Sequence, residues 1–289
     1  MIHTHKDALT EFVEVDSVRY AFRRFGTVTG VPLVFLQHFR GGLDNWDPLV
    51  TNGLASDRPV ILFNNAGVAS STGEPADTIR EQACHVVKFL AALRIGLVDL
   101  FGFSTGGFVA QQVVIDHPEL VRRLILAGTG PQGGEGMSLY KPEVAEHATR
   151  EIPIREDFLY LFFAPSETSQ AAGNAFWERR HERLEQDVPA SIAAMKAQAK
   201  AIGAWGQVPA SDRYANLKTI RQPVLVVNGN DDVMVPTVNS YILQQNLPNA
   251  TLILYPDSGH GAIFQHANQF VSHAKRFLNN HYDDNAVAK

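Results

Sequence analysis

The 289-residue chain has a single cysteine, Cys84, so no disulfide can form within it. No apolar run approaches the roughly 18 residues of a membrane span. The opening Met1-Ile2-His3-Thr4-His5-Lys6-Asp7 lacks the apolar core of a secretory signal, so a cytoplasmic location is expected. Charged residues make up 19% of the chain, the net charge is −5, and no long acidic or basic block occurs. Nothing here would attract nucleic acid or an anionic membrane. No Gly-x-Gly-x-x-Gly follows an early strand, and the glycine-rich stretch 102–107 has no phosphate-loop lysine, so no nucleotide cofactor is expected. His3-x-His5 has metal-like spacing but no third ligand, so no metal is expected either. Internal repeats and low-complexity segments are also lacking.

What is present is a 45% hydrophobic composition, enough for one large α/β core with room for an insertion. Residues 12–15 and 18–22 half-alternate around Asp16-Ser17 and predict an antiparallel hairpin. Short, nearly continuous apolar runs follow at 32–36, 60–63, 97–101, 124–127, 224–227 and 252–255, the mark of strands covered on both faces. Helical patterns fall between most of them, at 78–93 (with Asp77 as N-cap), 105–116, 238–247 and 262–280; a frayed tail is expected from Asp283. Cys84 lies in the first of these helices and is expected to be a buried small apolar group. Such alternation predicts a mostly parallel sheet of about eight strands flanked by helices.

The alternation breaks once, between Ala127 and Gln222. A glycine-rich loop at 131–136 leads into helical stretches at 143–149, 155–163, 171–186 and 189–202, carrying Phe158, Tyr160, Phe162, Phe163, Phe176, Trp177 and Trp205. The domain reading is therefore a core of residues 1–130 and 222–289 with a helical lid, 131–221, inserted after the sixth strand. Some of its aromatics are expected to face a mostly apolar pocket.

The chemistry centres on Gly102-Phe103-Ser104-Thr105-Gly106-Gly107, between a predicted strand and a predicted helix. A Gly-x-Ser-x-Gly turn in that setting strains the serine backbone and leaves no room for side chains at its glycines. It holds the hydroxyl at a helix N-terminus, where amides favour developing negative charge. A serine nucleophile needs a base, and the base needs an orienting acid. His260, in Ser258-Gly259-His260-Gly261 just past the last strand, is better placed than the ten other histidines: His38 lies in the loop after an early strand, and the rest lie in helices, at helix ends, in the lid or at the terminus. Asp232, three residues after Gly229 and four before Pro236, is the candidate acid; its neighbour Asp231 would point elsewhere. The other acid position, after Ala127, holds Gly128-Thr129-Gly130 and no carboxylate. One oxyanion amide is expected from Thr105, the other from the loop 37–42.

In these motifs the chain resembles the α/β-hydrolase superfamily, in its esterase-like branch with a helical lid. The resemblance implies Ser104, Asp232 and His260 as nucleophile, acid and base, and the amides of Phe39 and Thr105 as the oxyanion hole. Many members have His-Gly where this chain has Gln37-His38, and an aspartate where it has Asn64. His38 is expected either to touch substrate or to pack. The expected pocket is His38, Phe103, Phe158, Phe162, Trp177 and Trp205. The expected reaction is hydrolysis of an uncharged, partly apolar small-molecule ester or lactone through an acyl-serine. Carbon–carbon bond hydrolases, cofactor-free perhydrolases and slow-turnover ligand-binding signalling proteins carry the same three residues and stay open as alternatives. Oligomeric state is not readable from the sequence.

Overall fold

The computed structural model describes residues 3–137, 141–210 and 212–279. Its eight strands are β1 (Glu11–Val15), β2 (Val18–Gly26), β3 (Leu33–Leu36), β4 (Pro59–Phe63), β5 (Val98–Phe103), β6 (Val121–Ala127), β7 (Val224–Gly229) and β8 (Ala250–Tyr255). They form one sheet in the order β1-β2-β4-β3-β5-β6-β7-β8. β2 runs antiparallel to both its neighbours, and every pair from β4–β3 to β7–β8 is parallel. The first hairpin closes on Asp16 and Ser17, both at positive φ as a two-residue hairpin turn requires.

The helices are α1 (Pro48–Ala55), α2 (Ile79–Ala92), α3 (Thr105–Asp116), α4 (Pro142–Thr149), α5 (Arg155–Phe162), α6 (Glu167–Arg180), α7 (Ile192–Trp205), α8 (Val238–Asn246), α9 (Ala262–Gln265) and α10 (Ala267–Asn279). Strand residues alternate between two cores because successive side chains leave opposite faces. Val34, Leu36, Leu124, Leu126, Val224 and Val226 join the core under α2, α3 and α8. Leu33, Phe35, Ile125, Leu225 and Val227 join the core under α1, α9 and α10. Four helices, α4 to α7, interrupt the alternation between β6 and β7. The insertion straddles the sheet: Phe162 and Phe176 of α5 and α6 join one core, and Ala201, Ile202 and Trp205 of α7 join the other.

Several local expectations are corrected. Thr78, not Asp77, caps α2, accepting from the Glu81 amide at 3.2 Å, while Asp77 pairs with Lys200. Cys84 is exposed: the buried stripe of α2 is Ile79, Gln82, Ala83, Val86, Phe89 and Leu90, and position 84 falls off it. The closing helix is broken at His266, whose ring stacks on Tyr255 and donates from Nε2 to the Pro256 carbonyl at 3.0 Å. α6 starts and ends earlier than expected, and α7 runs on to Trp205. The tail from Asp283 lies outside the described residues.

Candidate active site

Ser104 joins β5 to α3 at φ 56°, ψ −122°, a conformation that costs a non-glycine residue of order 1–3 kcal/mol. The surroundings hold it there. Its amide donates to the Ala127 carbonyl at 2.9 Å, and its carbonyl accepts from the Gly107 amide and the Thr129 hydroxyl, both at 2.8 Å. A Cβ on Gly102 would stand 2.5 Å from the Gly106 carbonyl oxygen, and one on Gly106 would run into the Leu36 carbonyl. The N-terminus of α3 therefore presses against the end of β3, which brings the loop 37–42 beside Ser104.

His260 and Asp232 come from the loops after β8 and β7. Backbone hydrogen bonds stitch those loops together: the Asn230 amide donates to the Tyr255 carbonyl at 3.0 Å and the Asp231 amide to the Ser258 carbonyl at 3.0 Å. Asp232 Oδ2 accepts from His260 Nδ1 at 2.7 Å, while Oδ1 accepts from the Met234 and Val235 amides at 2.8 and 2.9 Å. The carboxylate thus has its lone pairs engaged and its orientation fixed. Asp231 is exposed and makes no such contact with His260. With Nδ1 as the donor, Nε2 carries the lone pair, and it has no hydrogen-bond partner among the described residues. The ring is held between Phe103 at 5.0 Å and Phe162 at 5.3 Å, and the Gly261 amide donates to the Phe162 carbonyl at 2.6 Å. That bond ties the His260 loop to the helical insertion.

Ser104 and His260 both line a cavity of about 380 Å³, roofed by α4 to α6 and the segment 186–190. Of the residues expected in a pocket, His38, Phe158, Phe162 and Trp177 line it. Phe103 and Trp205 do not. Phe103 is fully buried beneath His38, Phe162 and His260. Trp205 faces the opposite core, where it stacks on Phe108 at 5.4 Å. Phe39 lines the cavity, whereas Thr105, in the first turn of α3, borders a narrower cleft with Gln37, Gly41 and Gly106. His38 Nδ1 donates to the Phe39 carbonyl at 2.8 Å, leaving Nε2 unpartnered. Burial pushes the His38 pKa down to about 3, and the charges of Arg180 and His260 push the same way against the Phe39 carbonyl. His38 is therefore neutral at physiological pH. Two of the three departing positions make contacts of their own: Gln37 accepts the His38 amide at 2.8 Å, and Asn64 Nδ2 donates to Asp187 at 2.6 Å.

Residues 31–267 match the alpha/beta hydrolase fold family. The chain belongs to that family. An alpha/beta hydrolase fold protein from Chitinophaga pinensis shares 39% identity, with a TM-score of 0.91 over 96% of this chain and all of that one. The solved structure of an N-acyl homoserine lactone degrading enzyme shares 26% identity, with a TM-score of 0.69 over 92% of this chain and 100% of that one. A pimeloyl-[acyl-carrier protein] methyl ester esterase from Nitrosomonas europaea is 28% identical over 212 residues, 69% of this chain and 79% of its own. Relatives of this kind are hydrolases.

Some parts of this alpha/beta hydrolase site carried no signal in the sequence. Arg40, at φ 61°, donates to the carbonyls of Ala148, Arg150 and Glu151 at 3.3, 2.6 and 2.9 Å, and its amide donates to Gln198 of α7 at 2.8 Å. It fastens the loop carrying Phe39 to the insertion at two places. Asp157 gathers His147, Arg150 and the Ile154 amide at 2.7–2.9 Å. Arg180 lies in the cavity wall. In sequence all three look like ordinary solvated charges, since no motif marks which backbone groups, rings or charged side chains such a residue will meet.

Proposed function

We propose that this hydrolase cleaves small carboxylic esters or lactones through an acyl-Ser104 intermediate, with His260 as base and Asp232 as its orienting acid. The observation that carries the reading is the His260 ring, committed on Nδ1 to Asp232 and unpartnered on Nε2, in the cavity that Ser104 also lines. Substrate fills that space. Nε2 takes the Ser104 proton as Oγ attacks the carbonyl, and the imidazolium that forms is stabilised by Asp232. The amides of Phe39 and Thr105 receive the oxyanion, helped by the N-terminus of α3. Collapse expels the alcohol with the proton from His260. A water activated by Nε2 then attacks the acyl-enzyme and frees the acid, returning Ser104. Helices α4 to α7 act as the lid of a 131–221 unit over a 1–130 and 222–289 core, sealing the reaction from water. An esterase and a lactone-degrading enzyme among its relatives are consistent with this bond class, and a 2-hydroxymuconate semialdehyde hydrolase, 28% identical over 86% of this chain, keeps carbon–carbon cleavage on the same three residues as the second reading.

The test is steady-state hydrolysis of a series of p-nitrophenyl acyl esters by wild type and Ser104→Ala. Repeated turnover by wild type, with at least about 10³-fold less by the variant, is expected. A variant that keeps its rate, or a wild type that stops after one stoichiometric burst, would overturn the reading.

A further inference from the structure

Arg180 is the last residue of α6, and its guanidinium sits in the cavity wall above two aromatic rings, 4.4 Å from the centre of Phe158 and 5.0 Å from that of Trp177. No carboxylate among the described residues pairs with it; the Asp44 charge reaches it only from a distance. Its Nε and Nη1 are shut off from water with no acceptor among the described residues. The neighbouring Arg179 shows the contrast: it holds the Asp47 carboxylate through two bonds of 3.0 and 2.6 Å. The acids near Arg180 are engaged elsewhere. Asp44 is taken through both oxygens by Arg23, Asp157 by Arg150 and His147, and Asp187 by Asn64 and the Val188 amide.

Burying a cation without a counter-ion costs several kcal/mol, and hydrogen bonds left unmade add to it. Burial draws the Arg180 pKa down to about 10, so the group is still charged at neutral pH. Its charge reaches His38, which also lines the cavity, and opposes protonation there. A guanidinium presents parallel N–H donors matched to a planar carboxylate. Arg40, the other arginine of the wall, spends its donors on backbone carbonyls. A single unsatisfied cation suits a monoanion.

We propose that Arg180 is the recognition residue for a carboxylate carried by the substrate, held at the lid end of the cavity while the scissile carbonyl lies at Ser104. Between the two ends run Phe158 and Phe162, with centres 5.3 Å apart, and Phe162 stands 5.3 Å from His260. The spacer is therefore apolar and about two ring widths long. This rests on the Ser104 hydrolase reading, and it replaces the wholly uncharged substrate expected from the aromatic lid.

The test uses two matched pairs, each with one carboxylate masked as a methyl ester. On the acyl side, mono-4-nitrophenyl adipate is compared with methyl 4-nitrophenyl adipate. On the leaving-group side, 4-acetoxybenzoate is compared with its methyl ester. Wild type is expected to favour the free acid in at least one pair, by about 10- to 100-fold in kcat/KM. Arg180→Met, which keeps an apolar contact with the rings, is expected to bring that ratio close to one, and Arg180→Lys to retain part of it. Ratios near one in both pairs for wild type would overturn the proposal, as would Arg180→Met slowing both members equally and leaving the ratio intact. Were the variants not to fold, competitive inhibition of wild type by adipate against dimethyl adipate reads the same preference, and equal inhibition would overturn it. Ser104→Ala run beside these separates the two readings. Loss of all hydrolysis in that variant with no acid preference in wild type sinks the carboxylate site alone, whereas surviving hydrolysis sinks the nucleophile assignment.

Discussion

At the residue scale the proposed chemistry turns on which His260 nitrogen carries the proton. Asp232 decides that by accepting from Nδ1 at 2.7 Å, and the Met234 and Val235 amides keep its other oxygen from rotating into the same place. Asp232→Asn preserves size and can keep the Oδ1 contacts, but its NH2 group would meet Nδ1 as a donor. The imidazole would then adopt the other tautomer, with Nε2 protonated and unable to accept from Ser104. The expected result is a kcat lower by about 10³- to 10⁴-fold, with thermal unfolding close to that of wild type. Ester kinetics and a melting curve on the same preparation check both halves; a variant that keeps its kcat would remove Asp232 from the mechanism. Arg180 belongs to the same scale. Like His260, it is a polar group whose protein contacts stop short of its capacity, and in both the unfilled capacity lies in the cavity wall.

At the scale of elements, the strand–turn–helix unit around Ser104 works because two glycines let β5, α3 and β3 approach within contact distance of bare backbone. Gly106→Ala would drive a methyl group into the Leu36 carbonyl, so α3 must lift away from β3. Overpacking of this kind costs about 1–3 kcal/mol, and here the obstacle is rigid backbone, so the upper end or more is expected. Gly96→Ala is the control: nothing lies within 4 Å of its added Cβ, and stability within about 0.5 kcal/mol of wild type is expected. Urea denaturation of both variants checks this, and equal midpoints would show that the close approach is not needed. This unit was legible in the sequence because sterics dictate glycine at fixed offsets from the serine. The buried parallel strands were legible too, since being covered on both faces leaves a run of apolar residues. α1 passed unnoticed although Asp47 caps it and Pro48 opens it, because its eight residues are too short for a clear period. Asp77 and Thr78 are both competent caps, and the choice fell to Asp77's pairing with Lys200. Trp205 could not be placed because the insertion packs on both cores, and only the path of α7 decides which side it faces. Whether an arginine such as Arg180 meets a carboxylate or none is set by residues far away in the chain.

At the scale of the whole molecule, two buried imidazoles that resist protonation lie beside the contacts between the insertion and the core. His5 is buried against α1 with Nδ1 3.0 Å from the Thr51 hydroxyl, and the carbonyls of His5 and Lys6 accept from Arg183 of the insertion at 3.4 and 2.7 Å. Burial pushes the His5 pKa down to about 4, more strongly than the Asp44 charge raises it. His38, in the cavity under the insertion, is pushed down to about 3. In the unfolded chain both return to about 6.5. Between pH 6.5 and 4 the unfolded state therefore binds more protons than the folded one, and stability falls as pH falls. Above pH 6.5 both rings are neutral in either state and their contribution is complete. Each group adds a slope of up to about 1.4 kcal/mol per pH unit within the window. Asp99 works the other way, since burial raises its pKa despite Arg122 and Arg58 beside it, and so opposes the slope that the two imidazoles create. The expected outcome is a urea midpoint that is flat from pH 8 to 7 and drops steadily from pH 6.5 to 5. His5→Gln should remove about one proton's worth of that slope. An unchanged midpoint down to pH 5, or a His5→Gln variant with the full wild-type slope, would show that these rings are not what couples the insertion to acid.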